Sequence, residues 1–477
     1  MISFARHLTN LATADPDRPW VTDGARTITR SDLLAEATEL AHELADRGVV
    51  TGDLVTVALP NGIPFIQTLA ACWLLGATPQ PVSSRLPDRE LAAIIELAAP
   101  RLVVDQDFIN RPGHEPAVIQ PREPLPDAVS PAWKAPTSGG STGRPKLIVH
   151  GEPTLVDPDA DPILLIQRNG CLVMPGPLYH NGPLSWACLT LLAGGHVVVL
   201  DRFDPVETLR AIEEHHADMV YLVPTMMRRI WRLDPETRDR FELSSLRVVW
   251  HLAEPCPAWL KEAWIEWLGP KRIWELYAGT ENQASTVIRG DQWLERRGSV
   301  GRVSSGEISI RDEAGALLGP GEIGEFFMRR GPRPEDQRTY SYVGADARRL
   351  EGGWESLGDM GWLDVDGFLF LADRKTDMIL SGGANIYPAE IEAVLDEHPL
   401  VGSSAVIGLP DDDRGNSVHA IVQADPTEID GAQLAAWAGE RLVRYKVPRT
   451  FEFVEEPLRD DAGKVRRSAL RAARLPT

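Results

Sequence analysis

The sequence predicts an α/β protein with a large N-terminal domain of layered αβ subdomains, a small β-barrel-like part, and a small α+β domain at the C-terminal end. Three observations support this prediction. Helical and strand-like segments alternate through most of the chain, which is typical of parallel sheets covered by helices. Short β-like runs separated by Gly and Asp replace this pattern over residues 304–372. The length of 477 residues corresponds to roughly three units at about 150 residues per domain.

The first third of the chain begins the alternation. Apolar residues spaced near 3.6 predict a helix over residues 31–48, with Ser31 as a candidate N-cap and Gly48 as the stop. A strand is predicted over residues 53–60, and a second helix over residues 63–75 that ends at Gly76. These units indicate a sheet with helices on its faces.

The same alternation returns twice more. Strands are predicted over residues 195–200, 219–224 and 246–250, and helices over residues 205–216 and 257–268. Near the C-terminal end, a helix with Pro388 in its first turn precedes strands over residues 403–407 and 419–423. The charged segment over residues 373–377 separates two apolar strands, and we expect the domain boundary there.

Composition and charge exclude several classes of protein. The chain has 49 Lys and Arg against 69 Asp and Glu, a formal net charge of -20, which argues against binding to nucleic acids or anionic membranes. No apolar run approaches 18 residues, and the N-terminal segment does not resemble a signal peptide. The four cysteines show no CxxC spacing, so we expect free, mostly buried thiols in a cytoplasmic protein.

The most informative segment is the Gly-rich and hydroxyl-rich loop over residues 137–146. Its glycines allow the backbone to present N–H groups to an anion, its hydroxyls add donors, and Lys146 adds a charge suited to phosphate. A Walker-type loop is excluded because Pro145 intervenes and Leu147 stands where Ser or Thr would bind magnesium. The predicted phosphate-binding residues are Ser138, Gly139, Gly140, Ser141, Thr142, Gly143 and Lys146.

This loop resembles the signature of the adenylate-forming superfamily, which includes acyl-CoA synthetases, nonribosomal adenylation domains and firefly luciferase. The loop matches the signature when the two are aligned at Pro145 and Lys146. The residues before Pro145 are then offset by one position, and Leu147 stands where Gly is usual. Further segments resemble the superfamily's motifs in the correct order, namely residues 177–182, 277–281, 358–361, 373–377, 381–392 and 461–467. The sequence is therefore identified as a member, closest to the acyl- and aryl-acid CoA ligases.

The resemblance assigns expected roles in nucleotide binding. Tyr277 offers an aromatic face to adenine, beside Ala278 and Gly279, and the loop that contains Ala253 and Glu254 packs against the same base. A hydroxyl next to a carboxylate at a strand end suits phosphate and Mg²⁺, so Thr280 is expected on a phosphate oxygen and Glu281 on the metal. Asp359 is expected to contact the ribose, and Arg374 the ribose or a phosphate. Gly382 and Gly383 are expected to lie in a mobile loop.

The resemblance also implies two domains with separate tasks. Residues 1–375 form the expected AMP-binding domain, and residues 376–477 form a mobile cap that carries Lys464 as the catalytic lysine. The hinge is expected near Thr376, although the superfamily often has Asp or Lys at this pivot. A second departure lies before Gly358, where residues 354–357 read Trp-Glu-Ser-Leu instead of the usual Y-R-T pattern.

The acid is expected to bind near Tyr179 and His180. Trp186 and the small residues at 278 and 279 suggest a flat apolar slot, with His251 at its border, that suits an aromatic or other bulky apolar acid. Core packing explains Trp186 equally well.

The implied reaction has two steps. A carboxylic acid attacks the α-phosphorus of ATP, which gives an acyl-adenylate and pyrophosphate, and the thiol of CoA then takes the acyl group. One alternative is a biosynthetic enzyme that passes the adenylate to a carrier protein, an amine or another nucleophile, or that activates an oxyanion such as nitrite for diazo formation. The other alternative is a catalytically inactive nucleotide-binding protein. The expected oligomeric state is a monomer or homodimer.

Overall fold

A computed structural model describes residues 1–24, 26–111, 123–139, 145–331, 338–374, 376–381, 384–411, 414–460 and 463–475, except for the side chains of residues 138, 139, 373 and 374. The helices are α1 (Phe4–Ala14), α2 (Arg30–Asp46), α3 (Ile63–Leu75), α4 (Asp88–Ala98), α5 (Gln106–Asn110), α6 (Asn181–Leu192), α7 (Pro205–Glu214), α8 (Pro224–Trp231), α9 (Pro235–Arg238), α10 (Ala258–Leu268), α11 (Gly290–Glu295), α12 (Pro388–Asp396), α13 (Gly431–Gly439) and α14 (Arg467–Ala472).

The strands in the first half of the chain are β1 (Ile2–Ser3), β2 (Pro19–Asp23), β3 (Arg26–Thr29), β4 (Leu54–Ala58), β5 (Thr78–Pro81), β6 (Leu102–Asp105), β7 (Thr137–Gly139), β8 (Pro145–His150), β9 (Leu155–Val156), β10 (Cys171–Met174), β11 (His196–Val199), β12 (Met219–Leu222) and β13 (Val248–His251). Those in the second half are β14 (Ile273–Ala278), β15 (Ser285–Arg289), β16 (Ser299–Ser305), β17 (Glu307–Arg311), β18 (Gly324–Arg329), β19 (Tyr340–Val343), β20 (Arg348–Leu350), β21 (Trp354–Ser356), β22 (Asp359–Leu363), β23 (Phe368–Arg374), β24 (Ile379–Ser381), β25 (Ala384–Ile386), β26 (Ser403–Asp411), β27 (Gly415–Gln423) and β28 (Thr450–Val454).

One large mixed sheet organises the N-terminal domain. Its parallel part runs in the order β2, β11, β10, β12, β13, β14, and helices such as α6, α7 and α10 connect these strands. The antiparallel strands β15, β16, β23, β22 and β18 continue the same sheet, with register shifts in several pairs. This extension contains most of the short strands that the sequence predicts over residues 304–372. Within the described residues, three further sheets lie in this domain: a parallel sheet (β5-β4-β6), a small antiparallel sheet (β19-β8-β7) and the two-stranded antiparallel sheet β1-β9.

Two separate cores support the predicted division into a large and a small domain. The main core contains apolar residues from Phe4 to Phe368, whereas a second core is built from residues between Ile379 and Ala438. The small domain wraps its core with α12, α13 and the sheet β26-β27-β28. The α/β fold class with a large N-terminal and a small C-terminal domain is confirmed.

Local sequence signals set most element bounds correctly. Helix α3 covers the predicted residues, and Gly76 ends it in the left-handed region with φ +71°, where a side chain would be strained. Pro388 occupies the first turn of α12 as expected. The four cysteines are free, and Cys72 and Cys188 are buried. In the described parts of the chain, no helix combines the length and the apolar character that a bilayer crossing requires.

The predicted N-cap at Ser31 is wrong. Helix α2 begins at Arg30 with Thr29 as its N-cap. The Thr29 hydroxyl accepts from the backbone N–H of Asp32 at 3.2 Å, while the Asp32 carboxylate accepts from the N–H of Thr29. This reciprocal pair is a capping box. It provides side-chain acceptors for two backbone N–H groups that have no hydrogen-bond partner within the helix. The hydroxyl of Ser31 instead donates to the carbonyl of Pro16.

Replacement of this cap is expected to destabilise the N-terminal domain. Thr29→Ala should lower the free energy of unfolding by about 1 kcal/mol, because the first turn of α2 loses its side-chain acceptor. Urea denaturation followed by circular dichroism measures the change. Thr13→Ala is the matched control, since the exposed hydroxyl of Thr13 only donates to a carbonyl within α1. An equal loss in both variants would contradict the capping role.

Candidate active site

The predicted nucleotide-binding loops follow neighbouring parallel strands. Strand β13 leads into the segment that contains Ala253 and Glu254, and β14 leads into the segment that contains Thr280 and Glu281. Because parallel strands end at the same edge of a sheet, the two loops share one rim. This is the position in which open α/β sheets bind ligands.

Two residues that the sequence predicts around the nucleoside are in direct contact. The hydroxyl of Tyr277, near the end of β14, donates to the Asp359 carboxylate at 2.6 Å. Asp359 begins β22 and lies in register with Arg374 of β23. An aromatic ring and a carboxylate are thus held side by side, and their contacts with adenine and ribose stay a prediction.

Gly279 lies at a close approach that leaves no room for a side chain. A Cβ atom there would collide with the Leu357 side chain and would lie 3.0 Å from Oε2 of Glu281. Leu357 belongs to the Trp-Glu-Ser-Leu segment that departs from the superfamily's usual pattern. The departure therefore has a structural consequence, since Leu357 packs against the loop that carries Thr280 and Glu281.

Glu281 lies in a small cluster with Lys146 and Tyr342. Its buried carboxylate Oε1 accepts from the Tyr342 hydroxyl at 2.5 Å and lies 3.6 Å from Nζ of Lys146. The Lys146 ammonium also lies 3.8 Å from the centre of the Tyr342 ring. Burial and the Glu281 carboxylate both raise the pKa of Tyr342, so its hydroxyl keeps its proton and donates. The sequence analysis did not identify Tyr342. The alternation Tyr340-Ser341-Tyr342 in β19 puts both aromatic rings on one face of the strand, and it is the pattern that could have indicated this residue.

His180 caps the start of α6 beside Tyr179, with their ring centres 4.4 Å apart. Nε2 of His180 is buried and has no hydrogen-bond partner among the described residues. Burial, followed by the charges of Lys464 and Arg466, lowers the pKa of His180 to about 3. The predicted catalytic Lys464 follows Gly463, which lies against the Glu254 carboxylate, so the C-terminal domain brings the lysine loop to the same rim.

His180 is expected to stay neutral throughout the physiological range. With its folded pKa near 3 and an unfolded pKa near 6.5, protonation favours the unfolded chain, so this residue's contribution to stability is lost as the pH falls below about 6.5. NMR of ¹³C-histidine-labelled protein should show constant His180 shifts between pH 5 and 8, with His180→Gln used for assignment. Titration near pH 6.5 in the folded protein would contradict the burial argument.

Trp186 and His251 lie inside the main core. Trp186 makes edge contacts with Tyr221 and Trp250 at 5.2 and 5.8 Å between ring centres. His251 is fully buried at the end of β13, and burial, followed by the charge of Lys261, holds its pKa well below the usual range. Their role in an acid pocket stays a prediction.

Glu254 joins the two domains. Its carboxylate accepts from the backbone N–H and hydroxyl of Thr225, at the start of α8, at 2.7 and 3.0 Å. It also forms an ion pair with Arg459 of the C-terminal domain at 3.7 Å. Burial raises the pKa of Glu254 to about 6, against the effect of Arg459. Ala253, next to it, is exposed and has φ +74°.

Several predicted residues have no side-chain description. Gly140, Ser141, Thr142, Gly143, Gly382 and Gly383 lie outside the described residues, and for Ser138, Gly139 and Arg374 only the backbone is described. The backbones of Ser138 and Gly139 form β7, which pairs with β8 and so places the phosphate-loop segment beside Lys146. Thr280 and Ala278 lie at the rim and are not buried.

The donor set fits a nucleotide with magnesium. Among the described residues, no group of three or more His, Cys, Asp or Glu side chains could hold a metal on its own. Mg²⁺ in phosphoryl-transfer sites takes one or two carboxylates and completes its shell with phosphate oxygens and water. Glu281 is such a carboxylate, and Lys146 beside it suits a phosphate.

Comparisons with known proteins cover nearly the whole chain. A family model described as AMP-binding enzyme matches residues 8–333, and one described as AMP-binding enzyme C-terminal domain matches residues 390–464. Feruloyl-CoA synthase from Amycolatopsis sp is 32% identical over 96% of both chains. A 2-succinylbenzoate–CoA ligase from Bacillus licheniformis is 30% identical over 95% of this chain and 97% of its own.

A solved structure shares this architecture. The o-succinylbenzoate CoA synthetase from Bacillus subtilis, in complex with its acyl-adenylate intermediate, superposes with a TM-score of 0.83 at 26% identity over 99% of each chain. The same enzyme has been solved with ATP and a magnesium ion, with a TM-score of 0.80 at 26% identity over 97% of this chain and 98% of that one.

Proposed function

Since the chain belongs to the AMP-binding enzyme family, we propose that it is an AMP-forming acid–CoA ligase that activates a carboxylic acid through an acyl-adenylate. The observation that carries this proposal is the contact of the loop before Lys464 with Glu254, through Gly463 and Arg459, at the rim of the parallel strands. That arrangement brings the lysine to the loops predicted to hold the nucleotide. The AMP-binding domain over residues 1–375, the mobile cap over residues 376–477 and the hinge at Thr376 belong to this proposal.

In the first step, a carboxylate oxygen attacks the α-phosphorus of ATP, and pyrophosphate leaves with the electrons of the broken P–O bond. Lys464 lies between the attacking carboxylate and the α-phosphate and stabilises the charge that develops there. Lys146 and the loop over residues 137–146 hold the β- and γ-phosphates. Magnesium, when bound at Glu281, neutralises charge on the leaving group.

Tyr277, Asp359 and the loop at Ala253 and Glu254 orient the nucleoside. In the second step, the CoA thiolate attacks the acyl carbonyl and AMP departs. We propose that rotation about Thr376 withdraws Lys464 and brings Gly382 and Gly383 over the rim for this step.

The acid is proposed to be aromatic. Both named relatives act on acids that contain an aromatic ring, feruloyl and succinylbenzoyl. In this chain, Tyr179 and His180 lie at the start of α6 with their ring centres 4.4 Å apart, and we propose that the acyl group binds beside them. A neutral His180 suits an apolar ring better than a cation would. We also propose that the enzyme acts in the cytoplasm as a monomer or homodimer.

A pyrophosphate-release assay tests the function. Benzoates, hydroxycinnamates, succinylbenzoate and fatty acids are supplied with ATP and Mg²⁺, and the products are identified by mass spectrometry after CoA is added. We expect pyrophosphate release with aromatic acids and formation of their CoA thioesters. Product only with a carrier protein, an amine or nitrite would favour the biosynthetic alternative. Absence of pyrophosphate release with every acid would indicate a nucleotide-binding protein without catalysis.

A further inference from the structure

Arg459 is a nearly buried cation at the junction of the two domains, and the reaction described above gives it no task. It belongs to the C-terminal domain, five positions before Lys464, and only 10% of its side chain is exposed. A buried guanidinium needs several partners, because removal of its charge from water is costly. The carboxylates and the carbonyl that contact Arg459 therefore show how its guanidinium is held.

The large domain supplies one carboxylate. Nη1 of Arg459 lies 3.7 Å from Oε2 of Glu254, whose own side chain is 5% exposed. Glu254 is in turn fixed by the two hydrogen bonds from Thr225 at the start of α8. Arg459 therefore contacts a rigid point on the large domain, in the loop that follows β13.

The small domain supplies the second carboxylate. Nη2 of Arg459 lies 3.4 Å from Oε2 of Glu392, the last residue of the long motif over residues 381–392. Glu392 is buried in α12 and also accepts from Arg467 at 2.7 Å and from the backbone N–H of Val406 at 2.8 Å. This anchor holds the guanidinium against its own domain, so Arg459 has little freedom to move.

The same guanidinium also contacts the backbone that carries the catalytic lysine. Nη1 of Arg459 donates to the carbonyl oxygen of Gly463 at 3.2 Å. Gly463 has φ +76°, and a Cβ atom there would collide with the Glu254 carboxylate, so the loop lies directly on that carboxylate. Asp460 and Lys464 complete the loop, since each donates its backbone N–H to the other, at 3.0 and 2.9 Å.

We propose that Arg459 is a positioning residue for adenylation: it ties the peptide before Lys464 to Glu254, and so sets where the lysine side chain meets the α-phosphate and the carboxylate. This inference rests on the proposed function. It concerns the first step alone, because rotation of the small domain separates Arg459 from Glu254. A shift of about 1 Å in a charged group at the reacting centre can cost about 10²-fold in rate.

Other contacts between the domains distinguish the proposed positioning role of Arg459 from a role in docking the small domain. Arg228 of α8 pairs with Asp396 of α12 at 2.9 Å, and both side chains are almost completely buried. Arg228 and Arg232 also donate to the backbone carbonyls of Gly402 and Val401. These contacts dock the small domain without Arg459, so removal of Arg459 is expected to displace the lysine loop and leave the domains together.

The test separates the two half-reactions. In the full-length Arg459→Met variant, we expect kcat for pyrophosphate release to fall about 10²-fold, with little change in KM for ATP. Formation of the CoA thioester from a supplied acyl-adenylate should stay within about threefold of the wild type, which also shows that the variant is folded. Arg474→Met is the matched control, because Arg474 pairs with Glu452 within the small domain. It should leave both half-reactions unchanged.

Two results would overturn the assignment. One is full pyrophosphate release in Arg459→Met, and the other is an equal fall in both half-reactions, which would indicate a general role in folding. Failure of the proposed function is distinguishable, because the wild type would then release no pyrophosphate with any acid. An active wild type together with an equally active Arg459→Met variant rejects only the role of Arg459.

Discussion

Lys464→Ala is expected to lower pyrophosphate release from ATP and the acid by about 10²–10³-fold, the cost of removing one preorganised charge donor from a reacting centre. The effect should appear in kcat more than in KM, because the lysine stabilises charge that develops only in the transition state. Conversion of a supplied acyl-adenylate to the CoA thioester should be spared, since the second step is proposed to withdraw the lysine. Stopped assays of each half-reaction measure the difference.

The matched control for this prediction is Lys446→Ala. Lys446 is another lysine of the small domain, and it pairs with Glu390 of α12 in the same domain at 2.6 Å. Its loss should leave adenylation within about twofold of the wild type, as for other surface substitutions. Retention of full adenylation by Lys464→Ala would remove Lys464 from the first step.

Glu281→Gln is expected to lower the adenylation rate by about 10²-fold and to raise the Mg²⁺ concentration required for half-maximal rate. The amide retains the size of the side chain and can still accept from the Tyr342 hydroxyl, but it no longer provides a negative charge beside Lys146. Mg²⁺ prefers carboxylate oxygen over amide oxygen, so the metal should bind less tightly. Titration of pyrophosphate release with Mg²⁺ at saturating ATP measures both effects.

Glu322→Gln provides the control for the lost charge. Glu322 is exposed, and its carboxylate only accepts from the backbone N–H of Gly319 at 2.7 Å. This variant should show the rate and Mg²⁺ dependence of the wild type. An unchanged Mg²⁺ requirement in Glu281→Gln would contradict the assignment of Glu281 to the metal.

Much of the fold could be predicted because its signals are local. Helix α3 begins after a Gly and ends at a left-handed Gly76, and Pro388 marks the first turn of α12, so a few adjacent residues decide each bound. The failure at Ser31 has a cause outside its own helix. Thr29 and Ser31 can both cap a helix, and the outcome depended on the carbonyl of Pro16, which accepts from Ser31 and comes from fifteen residues earlier.

The site was predictable only in part. Ordered motifs indicated Lys464, Glu281, Asp359 and Tyr277 by residue type and spacing, and the structure brings the last two into contact across 82 positions of the chain. Arg459 was missed because no short-range pattern marks it, and the alternation at Tyr342 does not indicate which distant carboxylate its hydroxyl contacts. The hydroxyl of Tyr342 reaches Glu281 over 61 positions, and that pairing exists only when β19 lies beside β8.

By itself, the sequence determined the α/β class, the family to which the chain belongs and the chemical groups available for the reaction. These follow from the order of residue types, which is a property of the chain before it folds. Only the tertiary structure decided that Leu357 closes the space at Gly279, that Tyr342 holds Glu281 beside Lys146, and that Arg459 joins Glu254 to the lysine loop. The physical reason is that burial and contact between distant residues depend on how the sheets and the two domains pack.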